Sequence, residues 1–351
     1  MQKDSVAIMN ASWLIKRSFS YPIYYLHKTG NVFRSNTKVL MLMYHKILRN
    51  NSGNMLLQDG MYVNPETFEK QIKYLKSNFN IVPLNASVDF INNYIKYTGG
   101  MQMCSITFDD GWKDFYDNAY DIIRYHKVYA TVFLPTDFIG TNNQLWTDKL
   151  GMLMSNIIPG NMSTDINGYS EESCNEIETI KGNNKERYEK AIEMLKKKSS
   201  EEIDTTIYNL AIKWQVNLNS QQRSFLSWNE IKEMFESGFI NFGSHTKSHT
   251  LLTALSDQVI QDELIQSRDK LLNEGIVSKS FIPFAYPNGD HNDRIAKMVK
   301  SAGYSCALTT EKGWNCLMEK NIDVYKLKRV GVHQDMTSTD AMFACRIHGI
   351  Y

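Results

Sequence analysis

Two adjacent carboxylates, Asp109 and Asp110, stand where a predicted buried strand ends and a helix soon begins. In parallel α/β folds, the carboxyl ends of the strands form the edge where ligands bind. Like charges side by side repel each other and burial adds to that cost, so a cation or another partner at this place would stabilise them. The alternative is a turn in which both aspartates cap the helix and Gly111 supplies a positive φ.

Two histidines four residues apart, His245 and His249, follow a second predicted strand. If the segment turns helically, both imidazoles can converge on one metal ion, and neutral imidazole suits zinc and its first-row neighbours. Such a pair also occurs by chance at surfaces and helix caps. One aspartate and two histidines would nevertheless make three protein ligands, the number that leaves positions open for water and substrate in a catalytic site.

A third segment, Phe-Ala-Tyr-Pro-Asn-Gly at 284–289, again comes just after a predicted strand. A Pro-x-Gly turn can present a backbone N–H toward a pocket, which is what an oxyanion hole requires. By itself, the pattern predicts only a turn.

Short apolar runs alternate with helical patterns from Val39 onward, and these elements must position the three segments. The runs that predict strands are VLMLMY at 39–44, CSITF at 104–108, ATVFL at 130–134, INFGS at 240–244, FIPFAYP at 281–287, CALTT at 306–310 and YKLKRV at 325–330. Helices are predicted between several of them, one opened by a capping box of Ser227 and Glu230. This alternation predicts an α/β fold with parallel strands covered by helices, and leaves both a barrel and an open sheet as alternatives.

Residues 141 to about 225 interrupt the alternation. They are dense in charged residues and helix formers and carry few strand signals. We therefore predict a domain over 37–351 that contains a mostly helical insertion at about 141–225.

Composition narrows the class of protein. The 351 residues are 42% apolar and 22% charged, which is typical of a folded globular chain. The 39 basic and 38 acidic residues leave a net charge of +1, which argues against electrostatic binding to the phosphate backbone of nucleic acid. The five cysteines are scattered and form no C-x-x-C pair, so we expect a reducing compartment rather than a disulfide framework.

The first 36 residues mix aromatic and basic side chains and contain neither a membrane-spanning apolar stretch nor a convincing secretory signal. The pattern fits an amphipathic segment that lies on a membrane surface, or one that packs on the domain itself. We expect a cytoplasmic protein with peripheral contact to the inner face of the membrane.

Three motifs, TFDDG at 107–111, SHTKSH at 244–249 and FAYPNG at 284–289, resemble in this order those of the polysaccharide deacetylases (NodB homology domain, carbohydrate esterase family four). Weaker similarities are LMYH at 42–45 and LKRVGVH at 327–333. The resemblance implies an irregular (β/α) barrel and a metal-dependent enzyme that removes acetyl groups from sugars, usually N-acetyl groups of amino sugars.

Carried over residue by residue, the resemblance assigns a role to each matching position. Asp109 corresponds to the general base. Asp110, His245 and His249 correspond to the metal ligands. The metal is expected to be zinc, with cobalt, nickel and iron as alternatives for this donor set. The backbone N–H of Asn288 corresponds to the oxyanion donor, and Tyr286 and Pro287 are expected to contact substrate.

Two positions depart from the family pattern. The third motif often begins with an arginine that orients the base, and Ala285 stands there, so we expect another group such as Arg329 to orient Asp109. His333 is the nearest match to the general acid that protonates the leaving amine. His45, at the end of the first predicted strand, is a rival for a pocket role and is expected to contact substrate.

The sequence thus predicts a metal-dependent hydrolase that removes N-acetyl groups from amino sugars in a cell-surface glycan or in its lipid-linked precursor. Two alternatives stay open. The same activated water can attack either an ester or an amide carbonyl, which gives an O-acetyl esterase or another amidohydrolase as one alternative. A non-catalytic glycan-binding protein is the other alternative, because the missing arginine could have disabled the base.

Overall fold

The apolar runs of the sequence form parallel strands in the computed structural model, which describes residues 20–22, 37–49, 56–93, 101–155, 171–218, 223–317 and 322–350. The strands described are β1 (Lys38–Tyr44), β2 (Lys46–Ile47), β3 (Tyr62–Val63), β4 (Phe79–Ile81), β5 (Gln102–Phe108), β6 (Ala130–Leu134), β7 (Ile240–Ser244), β8 (Pro283–Ala285), β9 (Cys306–Lys312), β10 (Asn315–Cys316) and β11 (Leu327–Gly331). Every residue of β5 and β6 is buried, as expected where both faces of a parallel sheet are covered.

Seven of these strands close into a barrel. They pair in the order β1, β5, β6, β7, β8, β9 and β11, and β11 pairs with β1 again. All of these pairings are parallel. The prediction of an irregular (β/α) barrel is therefore confirmed, and the open sheet is excluded.

Two short strands extend the barrel sheet. The strand β4 lies parallel to the start of β5, and β10 pairs antiparallel with the start of β1. A separate parallel pair joins β2 to β3, with Lys46 opposite Tyr62. This pair fixes the chain just after β1.

The helices described are α1 (Pro65–Asn78), α2 (Leu84–Asn93), α3 (Tyr120–His126), α4 (Trp146–Ser155), α5 (Glu171–Thr179), α6 (Asn184–Leu195), α7 (Ser200–Lys213), α8 (Trp228–Glu236), α9 (Asp257–Asn273), α10 (Asp293–Ser301), α11 (Gln334–Thr337) and α12 (Asp340–Ile347). The predicted capping box is present: Ser227 accepts from the N–H of Glu230, and the Glu230 side chain accepts from the N–H of Ser227. No helix of the described ranges is long and apolar enough to cross a membrane.

The chain divides into two compact units. The larger contains the described residues of 1–49, 60–140 and 225–351, and it includes the whole barrel. The smaller contains those of 50–59 and 141–224. The amphipathic segment predicted for residues 1–36 lies outside the described residues except for 20–22.

The smaller unit has an apolar core of its own. Its helices α4 to α7 bury side chains such as Leu153, Tyr188 and Leu210 against one another. Capping boxes open α6 and α7, with Asn183 and Ser199 as the capping residues. Each box satisfies backbone N–H groups that the first turn of a helix leaves without a partner.

Candidate active site

Parallel register brings the predicted chemical residues to one rim of the barrel. Asp109 and Asp110 follow β5, His245 follows β7, and His333 lies just beyond β11. Because Tyr44 pairs with Phe108, the next residues along the two strands, His45 and Asp109, stand at the same level. The carboxyl ends of the strands in such a barrel are where active sites form.

Three potential ligand atoms converge at this rim. The Oδ1 atom of Asp110 lies 3.3 Å from Nε2 of His245 and 3.1 Å from Nε2 of His249. All three atoms lie within 4.8 Å of one another. Asp110 and His245 are buried, and the His249 side chain is 21% exposed, so the cluster opens to solvent on the side of His249.

The tautomer of His245 follows from its second contact. Its Nδ1 atom lies 2.8 Å from the carbonyl oxygen of Ala285. A carbonyl oxygen only accepts, so Nδ1 carries the proton and Nε2 of the neutral ring presents a lone pair to Asp110. Two lone pairs facing each other require either a second proton on the ring or a cation shared between them. Metal-ligating histidines typically hold their other nitrogen in this way.

The donor set fits a divalent cation. One carboxylate and two imidazoles are ligands that zinc, cobalt, nickel and iron accept. Ligand atoms about 2.0–2.1 Å from a tetrahedral ion would stand about 3.3 Å apart, and the two separations from Asp110 agree with that value. Burial raises the pKa of Asp110, but hydrogen bonds from His245 and His249, donated from Nε2 when the rings carry a proton there, outweigh burial and hold that pKa well below its usual range.

The segment that carries the two histidines is not helical. Thr246 and His249 adopt left-handed conformations, with φ of 64° and 59°, and these two residues fold the chain into a tight loop. The N–H of His249 donates to Oγ1 of Thr246 at 2.9 Å, which closes the loop. We call residues 246–249 the histidine loop.

The second oxygen of Asp110 is held by Trp112, a residue that the sequence analysis did not single out. Its Nε1–H donates to Oδ2 of Asp110 at 3.0 Å. The indole stacks on Phe225 with ring centres 4.5 Å apart, and Nζ of Lys46 lies 3.5 Å from the indole centre. These contacts lock the indole, so it fixes which carboxylate oxygen faces the histidines.

Asp109 is paired with a buried arginine. Nη1 and Nη2 of Arg329 each lie 2.7 Å from one carboxylate oxygen of Asp109, a bidentate geometry. Arg329 is fully buried and also donates from Nε to the carbonyl oxygen of Thr309 at 2.8 Å. It therefore contacts the carboxylate that the arginine missing at Ala285 was expected to orient.

The charge of Arg329 keeps Asp109 ionised. Burial raises the pKa of Asp109, but the Arg329 guanidinium, followed by His245, outweighs this and holds the pKa below the usual aspartate value. Each carboxylate oxygen has a second lone pair, so the salt bridge leaves Asp109 able to accept a proton.

Replacing Arg329 with Gln should move the acid limb of the kcat/KM profile to higher pH by about one unit or more. Without the guanidinium, burial dominates and the pKa of Asp109 rises, so the carboxylate protonates and stops accepting protons at a higher pH. The measurement is a pH profile of acetate release by the metal-loaded variant. Arg294→Gln, which removes an exposed pair with Asp257, is the control. An acid limb that stays in place would refute the role given to Arg329.

The candidate acid His333 and the pocket candidate His45 occupy different environments. The Nδ1 atom of His333 lies 2.6 Å from a carboxylate oxygen of Asp335, which leaves proton exchange to Nε2. Burial lowers the pKa of His45, while Asp110 and Asp109 oppose that shift. His45 is thus within electrostatic reach of both aspartates, and its role and that of His333 stay predictions.

The predicted turn after β8 is present. Asn288 is exposed and left-handed, with φ of 56°, and Thr310 Oγ1 donates to its carbonyl oxygen at 3.2 Å. Gly289 is required there because a Cβ atom would stand 2.0 Å from Oγ1 of Thr310. The oxyanion role of the Asn288 N–H stays a prediction.

Tyr286 and Pro287 are both buried. The Tyr286 ring packs edge-on against Phe284, and its hydroxyl donates to the carbonyl oxygen of Tyr325 at 2.9 Å. These contacts give Tyr286 a packing role. The substrate contacts expected of the two residues stay predictions.

Comparisons with known proteins agree with this geometry. The polysaccharide deacetylase family profile matches residues 96–193 and 179–307. The protein YxkH of Bacillus subtilis (strain 168), whose name assigns it to the polysaccharide deacetylases, is 23% identical over 304 residues, which are 86% of this chain and 74% of that protein.

Solved structures share the fold. The Streptococcus pyogenes deacetylase PplD, in complex with acetate, has a TM-score of 0.54 at 18% identity and covers 86% of this chain and 94% of its own. IcaB from Ammonifex degensii has a TM-score of 0.55 at 16% identity, with 88% and 97% covered. A de-N-acetylase from Aggregatibacter actinomycetemcomitans has a TM-score of 0.54 at 15% identity, with 88% and 99% covered.

The family profile covers more than half of the chain, and the three motifs that carry the resemblance meet at one rim of a parallel barrel. The chain therefore belongs to the polysaccharide deacetylase family, hydrolases that cleave the carbon–nitrogen bond of N-acetyl groups on polysaccharides.

Proposed function

We propose that this enzyme removes N-acetyl groups from amino sugars of a cell-surface glycan or of its lipid-linked precursor, with a divalent cation, zinc in the first instance, held by Asp110, His245 and His249. One observation carries the proposal: an Asp-His-His cluster lies beside an arginine-paired aspartate at the rim formed by the carboxyl ends of the barrel strands. The family assignment and the fold shared with a de-N-acetylase support the same reaction.

The residues divide the work of amide hydrolysis. The bound cation would supply Lewis acidity to the acetyl carbonyl and lower the pKa of the attacking water. Asp109 accepts the proton of that water. Arg329 keeps the Asp109 carboxylate ionised and fixes its orientation through a bidentate salt bridge. The backbone N–H of Asn288 donates to the oxyanion as the tetrahedral intermediate forms.

The leaving amine needs a proton before it departs. His333 supplies it from Nε2, with Asp335 holding the opposite ring nitrogen. His45, which stands level with Asp109, is expected to contact substrate in the pocket instead. A comparison of His333→Gln with His45→Gln separates them, because loss of the acid flattens the alkaline limb of the kcat/KM profile and loss of a pocket residue does not.

The experiment that tests the function measures two products at once. Zinc-loaded protein is incubated with N-acetylated and O-acetylated oligosaccharides, and acetate and free amine are quantified. We expect acetate and amine in equal amounts from the N-acetylated set. Acetate without amine, released only from O-acetylated sugars, would identify an esterase. Tight binding of sugars with no acetate release would identify a glycan-binding protein.

We also propose that the enzyme works in the cytoplasm with its first 36 residues on the anionic face of the membrane, where a lipid-linked precursor is accessible. All five cysteines lie in the described ranges and none of them forms a disulfide there, which suits a reducing compartment. Basic residues near a membrane surface strengthen such contact. Lys16→Glu combined with Arg17→Glu should therefore reduce partitioning onto anionic vesicles. Equal partitioning of the variant and the wild type would contradict the proposal.

A further inference from the structure

The histidine loop is held in a conformation that its own residues disfavour. Thr246 is β-branched, and its φ of 64° lies in the left-handed region that such residues rarely adopt. His249, a metal ligand in the proposed function, is left-handed as well. Strained conformations of this kind persist only where the surrounding structure determines them. The groups that contact the loop therefore decide where the His249 imidazole stands.

Glu263 contacts this loop through both of its carboxylate oxygens. Its Oε2 atom accepts hydrogen bonds from the backbone N–H groups of Lys247 and Ser248, both at 2.9 Å. Its Oε1 atom accepts the Ser248 hydroxyl at 2.7 Å. Two consecutive backbone N–H groups form a concave site for an anion, and hydrogen bonds to a carboxylate are roughly twice as strong as neutral ones.

The helix that carries Glu263 is itself fixed. On α9, Ile260 and Leu264 are fully buried in the apolar core on either side of Glu263 in the sequence. One turn further along, the Ser267 hydroxyl donates to the carbonyl oxygen of Thr246 at 3.0 Å and contacts the Ser244 hydroxyl at 2.7 Å. Thus α9 holds the beginning of the loop through Ser267 and its middle through Glu263.

The contact lies between the two histidines in the chain. His245 contacts the carbonyl oxygen of Ala285 on the barrel. His249 directly follows Ser248, whose backbone N–H donates to Glu263. The distance of His249 from Asp110 therefore depends on the path of residues 246–248. Without Glu263, Ser267 still holds Thr246, but residues 247 and 248 lose their anchor, and we expect the His249 imidazole to move away from Asp110.

We propose that Glu263 is a positioning residue for the metal site, which holds the histidine loop so that His249 reaches the same cation as Asp110 and His245. The inference rests on the metal-binding part of the proposed function and adds a residue outside the three motifs of the sequence. It touches neither cation nor substrate and acts through the backbone of Lys247 and Ser248.

Metal affinity tests the inference directly. Zn²⁺ and Co²⁺ dissociation constants are measured for the metal-free full-length chain by competition with a chromophoric chelator, and the visible spectrum of bound Co²⁺ reports ligand geometry. Glu263→Ala should weaken binding by about 10- to 100-fold, the usual effect of losing a residue that orients a ligand. Glu263→Gln, which keeps an acceptor oxygen and the side-chain shape, should lose less. Asp262→Ala, which removes the neighbouring exposed carboxylate of α9, should bind like the wild type.

The outcomes separate the possible failures. If Glu263→Ala and Glu263→Gln bind both metals like the wild type with an unchanged Co²⁺ spectrum, the inference is wrong, even if their melting temperatures fall. If Glu263→Ala does not fold, the Glu263→Gln affinity decides. A wild type that binds metal but releases no acetate would refute the proposed function and leave this inference standing. A wild type that binds neither metal would overturn both.

Discussion

Asp109→Asn should lower kcat/KM for acetate release by at least about a hundredfold while the protein still binds one equivalent of metal. The amide keeps the size of the carboxylate but cannot accept the proton of the attacking water. Because Asp109 contributes none of the three converging ligand atoms, the metal site should survive the change. The measurement combines steady-state kinetics with metal analysis of the same sample.

The control for this variant is Asp117→Asn, which removes an exposed carboxylate paired with Lys113. It should retain wild-type kinetics. Activity of Asp109→Asn within about threefold of the wild type would show that another group is the base, because a general base typically contributes 10²–10⁴-fold. Loss of metal together with activity would instead make Asp109 part of the metal site.

His249→Ala should abolish stoichiometric metal binding and lower kcat/KM by about a thousandfold or more. Loss of the cation removes several kcal/mol of transition-state stabilisation, and each 1.36 kcal/mol corresponds to about a factor of ten. The His249 side chain is 21% exposed, so its truncation leaves the barrel interior intact. Metal content after dialysis and acetate release are measured on the same preparation.

His126→Ala serves as the matched histidine control. His126 ends α3 and contacts Glu69 rather than the rim residues. Its removal should leave one metal per chain. A His249→Ala protein that keeps one equivalent of zinc and full activity would exclude His249 as a ligand.

The chain order of the strands could be predicted from local patterns, but barrel closure could not. Apolar runs such as the one at 104–108 mark buried strands whichever strands they pair with. Closure depends on β11 meeting β1, a contact between residues almost 300 positions apart in the sequence. Only the resemblance to a known family predicted the barrel, and the structure confirms it.

The residues that support the site were harder to predict than the motif residues. Arg329 is 220 positions from Asp109, so spacing gives no sign of their pairing, and the absence of an arginine at Ala285 was the only signal. Glu263 occupies a polar position of a helix, where its contact with the histidine loop leaves no local pattern. Trp112 had a usable signal, since a buried ligand carboxylate needs a donor for its second oxygen.

The loop geometry shows why spacing alone was insufficient. Four-residue spacing suggested a helical turn, yet Thr246 and His249 are left-handed, in a loop whose backbone donates to Glu263 and accepts from Ser267. Helix propensity describes the conformation that a segment favours in isolation. In this loop, the tertiary contacts outweigh that local preference.

Metal dependence is tested most directly by titrating the metal-free wild-type chain with Zn²⁺ and measuring acetate release. We expect no release without metal and a linear rise with added Zn²⁺ that ends at one equivalent per chain, because Asp110, His245 and His249 form a single site. Release from N-acetylated sugar that is already maximal in the metal-free protein, and unchanged by added metal, would contradict this dependence.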